Sequence, residues 1–190
     1  MRNLGVEDKV MLMMIADIDH FKRINDDHGH SVGDQALIEV SRRIKEAVRF
    51  DDTVIRWGGE EFLLVCPLVN MANAEAVVRK VLDGVRAKPV TLSDGAEIQA
   101  TVSLGAVWVP VFLGQPLAIS FDNAITLADK ALYEAKANGR DHARIVVARQ
   151  DVDAARNDVL MPSIDGFYHD RDRCTIVVVG ERTEGSKPGR

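Results

Sequence analysis

The stretch VMLMMIADID occupies residues 10–19 and places an unbroken apolar run directly before two acids. An apolar run of this length predicts a central strand that is buried on both faces. Asp17 and Asp19 follow the run at once, so polar side chains are expected where the strand ends. The sequence therefore predicts a candidate functional site at the end of a buried first strand.

Helical and strand periodicities alternate along the chain on either side of this stretch. The predicted helices occupy residues 31–48, 74–85 and 121–135, and the further predicted strands occupy residues 53–57, 61–66, 97–109 and 143–148. Gly58-Gly59 joins two of these strands and suits a tight hairpin. This order of elements predicts a ferredoxin-like or palm-type α+β fold, with a mainly antiparallel sheet flanked by helices.

The composition is that of an ordinary globular domain rather than of a fibrous or disordered protein. The chain has 190 residues, of which 46% are hydrophobic, and a formal net charge of −5. That charge disfavours DNA as a partner, and no apolar run is long enough to enter a membrane. Cys66 and Cys174 have no zinc-binding spacing, and a reducing cytoplasm is the expected location.

Two acidic segments carry the chemistry that this sequence suggests. Residues 17–26 follow the apolar strand, and residues 58–62 place Glu60 and Glu61 at the predicted hairpin. Carboxylates gathered at one point repel one another, so one takes up a proton unless a cation lies between them. A magnesium ion fits such a set of oxygen ligands. The alternative is that each acidic pair simply faces water at a strand end.

Several ordered motifs resemble one known family. The matching segments are residues 17–25, Gly29-His30, Gly33-Asp34, residues 58–62, residues 101–105 and residues 128–140. Together they resemble the signature of GGDEF domains, the diguanylate cyclases, over roughly residues 10–147. The resemblance implies an enzyme that condenses two GTP molecules into cyclic di-GMP and two pyrophosphates.

The resemblance also implies a metal site and a reaction. Asp17, the carbonyl of Ile18 and Glu60 would hold Mg²⁺, for which Mn²⁺ can substitute, and Glu60 and Glu61 would be the catalytic acidic pair. A 3′-hydroxyl would attack an α-phosphate, and two metal ions would activate the hydroxyl and neutralise the leaving pyrophosphate.

Further positions match the nucleotide contacts of the family. The implied substrate-binding residues are Phe21, Lys22, Asn25, Asp34, Gly58, Gly59, Lys136 and Arg140. A carboxylate at Asp34 would accept hydrogen bonds that guanine offers and adenine lacks. Taken alone, Asp34 would be an acid near a helix start, and Lys136 and Arg140 would be cations near a helix end.

Arg49 and Asp52 form an RxxD pair with five residues between Asp52 and Gly58, which is the register of the inhibitory product site in this family. Arginine suits a bidentate contact to a product phosphate or a guanine edge. The alternative interpretation is a surface ion pair between residues three positions apart.

The resemblance assigns residues 1–149 to the catalytic domain. Residues 150–190 form an extension that is predicted to be partly disordered, and the disorder is expected in its last ten residues. The N-terminal segment of the family is not found before Val10. An upstream sensory or receiver domain is therefore expected outside this chain, and a homodimer is expected for catalysis.

Two other functions remain open at this point. One is a catalytically quiet domain that senses GTP or cyclic di-GMP. The other is a nucleotidyl cyclase with a different product, such as a mixed cyclic dinucleotide, or a remote polymerase-palm relative, although Asp34 disfavours an adenine substrate.

Overall fold

The computed structural model describes residues 9–113, 119–149 and 164–180. The helices are α1 (Phe21–His28), α2 (His30–Ala47), α3 (Ala74–Arg86), α4 (Phe121–Ala137) and α5 (Ile164–His169). The strands are β1 (Lys9–Ile18), β2 (Thr53–Arg56), β3 (Glu61–Asn70), β4 (Val90–Thr91), β5 (Glu97–Ile98), β6 (Val102–Val109), β7 (Ala143–Ala148) and β8 (Cys174–Val179). A 3₁₀ turn at Met71–Asn73 leads into α3.

Strand β1 lies in the interior of a six-stranded sheet with the order β2-β3-β1-β6-β7-β8. Every neighbouring pair is antiparallel except β6 and β7, which are parallel. The prediction of a mainly antiparallel sheet flanked by helices is therefore confirmed. Strands β4 and β5 form a separate two-stranded ladder.

Alternate residues of β1 point into two apolar layers, as the period of a strand requires. Leu12 and Met14 belong to the layer that also contains buried residues of α2 and α3. Met13 and Ile15 belong to the opposite layer, together with the buried face of α4. Because both faces are covered by helices, the whole run before Asp17 is apolar.

Two segments differ from the sequence-based expectation. A helix that was not among the predicted ones follows β1: α1 begins at Phe21, directly after His20, which adopts a left-handed conformation with φ 56°. The single strand predicted at residues 97–109 is divided into β5 and β6. The turn around Gly95 pairs β5 with β4, whereas β6 pairs with β1 in the main sheet.

The C-terminal extension contributes to the same sheet. Strand β8 pairs antiparallel with β7. Phe167 of α5 packs edge-to-face against Phe112, with ring centroids 5.7 Å apart. The predicted disorder of residues 181–190 and the absence of a family segment before Val10 concern parts of the chain that lie outside the described residues.

None of the helices in the described ranges is both long enough and apolar enough to span a membrane.

The packing of α4 on β6 depends on Gly105. A Cβ atom at this position would lie 1.9 Å from the Ala128 carbonyl oxygen and 2.4 Å from the Leu132 amide nitrogen, both of which belong to the α4 backbone. Such atoms cannot move aside as a flexible side chain can. The absence of a side chain at Gly105 is therefore what allows α4 to lie close against the sheet.

We expect Gly105→Ala to destabilise the protein by roughly 1–3 kcal/mol or more, because the added methyl group forces α4 away from β6. Urea unfolding of both proteins measures the difference. Gly59→Ala is the matched control, since a Cβ there meets no heavy atom within 4 Å. Equal unfolding midpoints for Gly105→Ala and the wild type would contradict the close approach.

Candidate active site

Asp17 lies near the end of β1, between the two neighbouring strands of the sheet. Its register partners are Glu61 on β3 and Ser103 on β6. The Asp17 side chain is buried, with the residue 5% exposed, and its Oδ2 lies 2.8 Å from Lys136 Nζ of α4. The sheet and α4 thus bring a carboxylate from β1 and a cation from the last turn of α4 into direct contact.

The Asp17 carboxyl is electrostatically strained. Its pKa is raised to about 6, because burial and, to a lesser extent, the negative charges of Glu60 and Glu61 raise it by more than the contact with Lys136 lowers it. One lysine therefore does not compensate this carboxylate fully. A second positive charge beside Asp17 would lower its pKa and relieve the repulsion from the hairpin acids.

The glycine hairpin is held in place by backbone groups and by one side chain. Trp57 N and Gly58 N donate to the Glu61 carbonyl at 2.8 and 3.3 Å. The Arg56 guanidinium donates to the Gly59 carbonyl at 2.8 Å through Nη2. Arg56 was not among the predicted site residues, because its position two residues before Gly58 does not indicate in which direction its side chain points.

A backbone contact places Glu60 beside the end of β1. Ile18 N donates to the Glu60 carbonyl at 3.2 Å, so the predicted metal-binding residues Asp17, Ile18 and Glu60 come together. Among the residues that the structure describes, no three His, Cys, Asp or Glu side chains form a metal-binding group. The donors present are carboxylate and carbonyl oxygens, which suit a hard cation that completes its shell with water and phosphate oxygens.

The predicted guanine contacts meet where α1 and α2 join. A Cβ at Gly33 would lie 1.9 Å from Asn25 Oδ1, so the Asn25 side chain rests directly on the Gly33 backbone. Asp34 is the next residue along α2 and is exposed. Phe21, the first residue of α1, is partly buried against the apolar core. Asn25 and Asp34 therefore share one corner of the molecule.

The predicted phosphate contacts lie on two helices and in one loop. Lys136 lies on α4, and Arg140 lies in the loop that follows it, where Arg140 N donates to the Ala135 carbonyl at 3.1 Å. Arg140 has a φ of 60°, which is uncommon for a residue other than glycine. Lys22 is exposed on α1.

Comparison with known proteins identifies the family. Residues 1–142 match the family described as diguanylate cyclase, GGDEF domain. The chain belongs to the GGDEF family. Diguanylate cyclase A of Treponema denticola is 35% identical to this GGDEF domain over 151 residues, which cover 80% of this chain and 38% of that protein. The chain spans about a third of the length of the curated relatives that it matches.

Solved GGDEF domains share the fold. The GGDEF domain of TpbB from Pseudomonas aeruginosa is similar at a TM-score of 0.64 and 31% identity, over 72% of this chain and 82% of that one. The GGDEF domain of DgcB from Caulobacter crescentus, solved in complex with c-di-GMP, is similar at a TM-score of 0.62 and 27% identity, over 70% of this chain and 75% of that one.

The RxxD pair of this GGDEF domain lies apart from the carboxylates. Arg49 and Asp52 line a cavity of about 260 Å³ beside the end of α2, together with Lys80 of α3, and neither Asp17 nor Glu60 contributes to it. Asp52 Oδ2 accepts a hydrogen bond from the Arg49 backbone nitrogen at 2.7 Å. No described ion pair joins the two side chains, so the surface ion pair considered from the sequence is not formed. Lys80 was missed because nothing in the sequence connects this α3 residue to an RxxD motif in the turn between α2 and β2.

We expect the raised pKa of Asp17 to make its contribution to stability depend on pH. The folded state binds this proton more tightly than the unfolded chain, whose carboxyl has the ordinary pKa of 3.8. The contribution is therefore full below about pH 4 and is lost as the pH rises through about 6. Asp17→Asn stays neutral, so at pH 7 without divalent cations it should be more stable than the wild type by about 1–3 kcal/mol.

Urea unfolding between pH 4 and 8, without divalent cations, measures this effect, and Asp51→Asn is the exposed control. The gap in free energy of unfolding between Asp17→Asn and the wild type should widen as the pH rises. A gap that stays constant with pH would contradict a raised pKa.

Proposed function

We propose that this GGDEF domain is a diguanylate cyclase that condenses two GTP molecules into cyclic di-GMP and two pyrophosphates. The observation that carries the proposal is the buried Asp17 carboxylate, which lies beside the Glu60-Glu61 hairpin and within 2.8 Å of the Lys136 ammonium. Opposite charges gathered in this way suit a triphosphate that arrives with a cation. The family match and the relatives named as diguanylate cyclases support the same activity.

The metal-binding part of the proposal involves Asp17, the Ile18 carbonyl and Glu60. Members of this family use a divalent metal, and Mg²⁺ fits these oxygen donors best, with Mn²⁺ as a substitute. When bound, the metal would lower the pKa of the attacking 3′-hydroxyl and neutralise the leaving pyrophosphate. Glu61 completes the acidic pair, and its side chain lies over Gly58, where a Cβ would be 2.8 Å from Oε2.

The remaining residues would bind and orient the nucleotide. Lys136 and Arg140, with Lys22 from α1, would neutralise phosphate oxygens. Gly58 and Gly59 would let the nucleotide lie against the hairpin backbone. Asn25 and Asp34 would recognise guanine, because the Asp34 carboxylate, once covered by the bound base, has no donor to pair with when that base is adenine. We therefore propose GTP rather than ATP as the substrate.

Two copies of the domain are needed for the proposed reaction. Each copy binds one GTP, and each 3′-hydroxyl must reach the α-phosphate held by the other copy, so the sites must face one another. A two-fold axis satisfies this requirement. We propose a homodimer whose pairing is controlled by an upstream sensory or receiver domain, and the cytoplasm, where GTP is available, as its compartment.

We further propose that Arg49 and Asp52 bind the product and inhibit the enzyme. The Arg49 side chain is exposed, and the Asp52 carboxylate fixes the backbone of the turn that carries it. Lys80 adds a second positive charge to the same cavity. Two cations beside an apolar wall suit a cyclic dinucleotide, which carries two phosphate charges and two flat bases.

We expect Glu60→Gln to lower cyclic di-GMP formation by about 10²–10³-fold, because the change removes a metal-binding charge without changing the shape of the side chain. The assay incubates the chain, fused to a dimeric coiled coil, with GTP and Mg²⁺ and separates the nucleotides by chromatography. Glu97→Gln, an exposed position on β5, is the control and should match the wild type. A wild-type fusion that binds GTP but forms no cyclic di-GMP would favour the sensing module instead.

Arg49→Ala should raise the cyclic di-GMP concentration needed for half-inhibition by about tenfold or more, since it withdraws one charge-assisted contact. The initial rate without product should stay unchanged. Arg79→Ala, an exposed change on α3 outside the cavity lining, serves as the control. Identical inhibition curves for Arg49→Ala and the wild type would exclude this cavity as the product site.

A further inference from the structure

Asp19 is a buried acid that the proposed metal site does not use. The residue is 5% exposed and lies one position beyond the end of β1. Its carboxylate accepts three hydrogen bonds: from Thr101 Oγ1 at 2.6 Å, from Ser103 Oγ at 2.7 Å and from Asp141 N at 3.0 Å. Three hydrogen bonds satisfy a buried carboxylate well and hold it in one position.

The three donors come from two distant segments of the chain. Thr101 and Ser103 lie at the start of β6, and Asp141 lies in the loop between α4 and β7, directly after Arg140. The Asp19 backbone also joins β6, since Asp19 N donates to the Thr101 carbonyl at 2.9 Å. Asp19 therefore connects the strand end that carries Asp17 to the loop that carries Arg140.

That loop needs external support for its conformation. Arg140 and Asp141 have φ values of 60° and 51°, in the left-handed region that L residues rarely adopt. Besides Asp19, Arg86 of α3 holds the loop, because its Nη1 donates to both the carbonyl and the Oδ1 of Asp141 at 3.2 Å. The His142 ring nitrogen Nδ1 lies 2.7 Å from the Arg140 carbonyl.

We propose that Asp19 is a positioning residue that acts through Arg140. Its carboxylate holds the Asp141 amide in place and thereby positions the neighbouring Arg140 guanidinium. The position is set relative to Asp17, because Asp17 lies two residues before Asp19 at the same end of β1. This inference rests on the proposed function, in which Arg140 contacts the triphosphate and Asp17 the metal. It assigns Asp19 a role in nucleotide binding although Asp19 touches no nucleotide.

A competing role for Asp19 is direct metal binding, and one substitution separates the two. In Asp19→Asn the amide oxygen can still accept from Thr101 and Asp141, while the amide NH₂ donates to Ser103 Oγ, since a hydroxyl can accept as well as donate. The asparagine variant thus keeps the connection and loses the charge. Asp19→Ala loses both.

The test measures binding of guanosine 5′-[α,β-methylene]triphosphate with Mg²⁺ by calorimetry on the whole chain. We expect Asp19→Ala and Arg140→Ala each to raise Kd by about tenfold, and the double variant to be no weaker than either single variant, because the two residues act as one unit. Asp19→Asn should stay within about threefold of the wild type. The proposal would be overturned if the increases in Kd multiplied in the double variant, or if Asp19→Asn raised Kd as much as Asp19→Ala does.

A second readout needs no nucleotide. Hydrogen exchange of the Asp141 amide should be fast in Asp19→Ala and remain slow in Asp19→Asn and the wild type. If the wild type protects this amide but does not bind the analogue, the proposed function fails and the hydrogen bond stands. Fast exchange of this amide in the wild type would contradict the positioning role and leave the proposed function unaffected. Should Asp19→Ala not fold, Arg86→Met removes a second contact that supports the loop and is expected to show the same non-additivity with Arg140→Ala.

Discussion

The close contact between α4 and β6 at Gly105 is the constraint on which the rest of the structure depends. Because no Cβ separates the two backbones, α4 lies directly on the sheet and its last turn reaches the end of β1. Lys136 can then contact Asp17, and the loop after α4 can bring Asp141 to Asp19. Contacts in the core thus decide the geometry of the charged residues at its edge.

The buried charge of the Asp17 site lowers the stability of the folded state. Asp17 is buried, and two further acids and, among the described residues, a single lysine act on its carboxyl, so its pKa rises. Such a carboxylate is a better partner for a cation than for water, because a cation removes the repulsion that folding creates. A buried, incompletely paired carboxylate of this kind is expected at a functional site, where residues are retained although they destabilise the fold.

The molecule separates its two proposed nucleotide sites by using different elements for each. The carboxylates lie where β1 and β3 pair, between the glycine hairpin and α4, whereas the cavity at Arg49 lies between the end of α2 and α3. The buried Arg43 side chain joins these two helices at another point, since its Nη1 donates to the Val85 carbonyl at 2.7 Å. Product bound at the cavity, as proposed, would therefore contact the helical layer rather than the proposed metal site.

The sequence by itself determined the buried first strand, the helices on both faces of the sheet, the glycine hairpin and the family. These features follow from local periodicity and from motifs whose residues are near neighbours in the chain. Only the tertiary structure decided the hydrogen bonds of Asp19, the contact of the Arg56 side chain with the Gly59 carbonyl and the position of Lys80 in the cavity of Arg49. It also divided residues 97–109 into two strands. The physical reason is that hydrogen bonds between residues more than eighty positions apart, such as those of Asp19, depend on how the elements pack and leave no periodic trace in the chain.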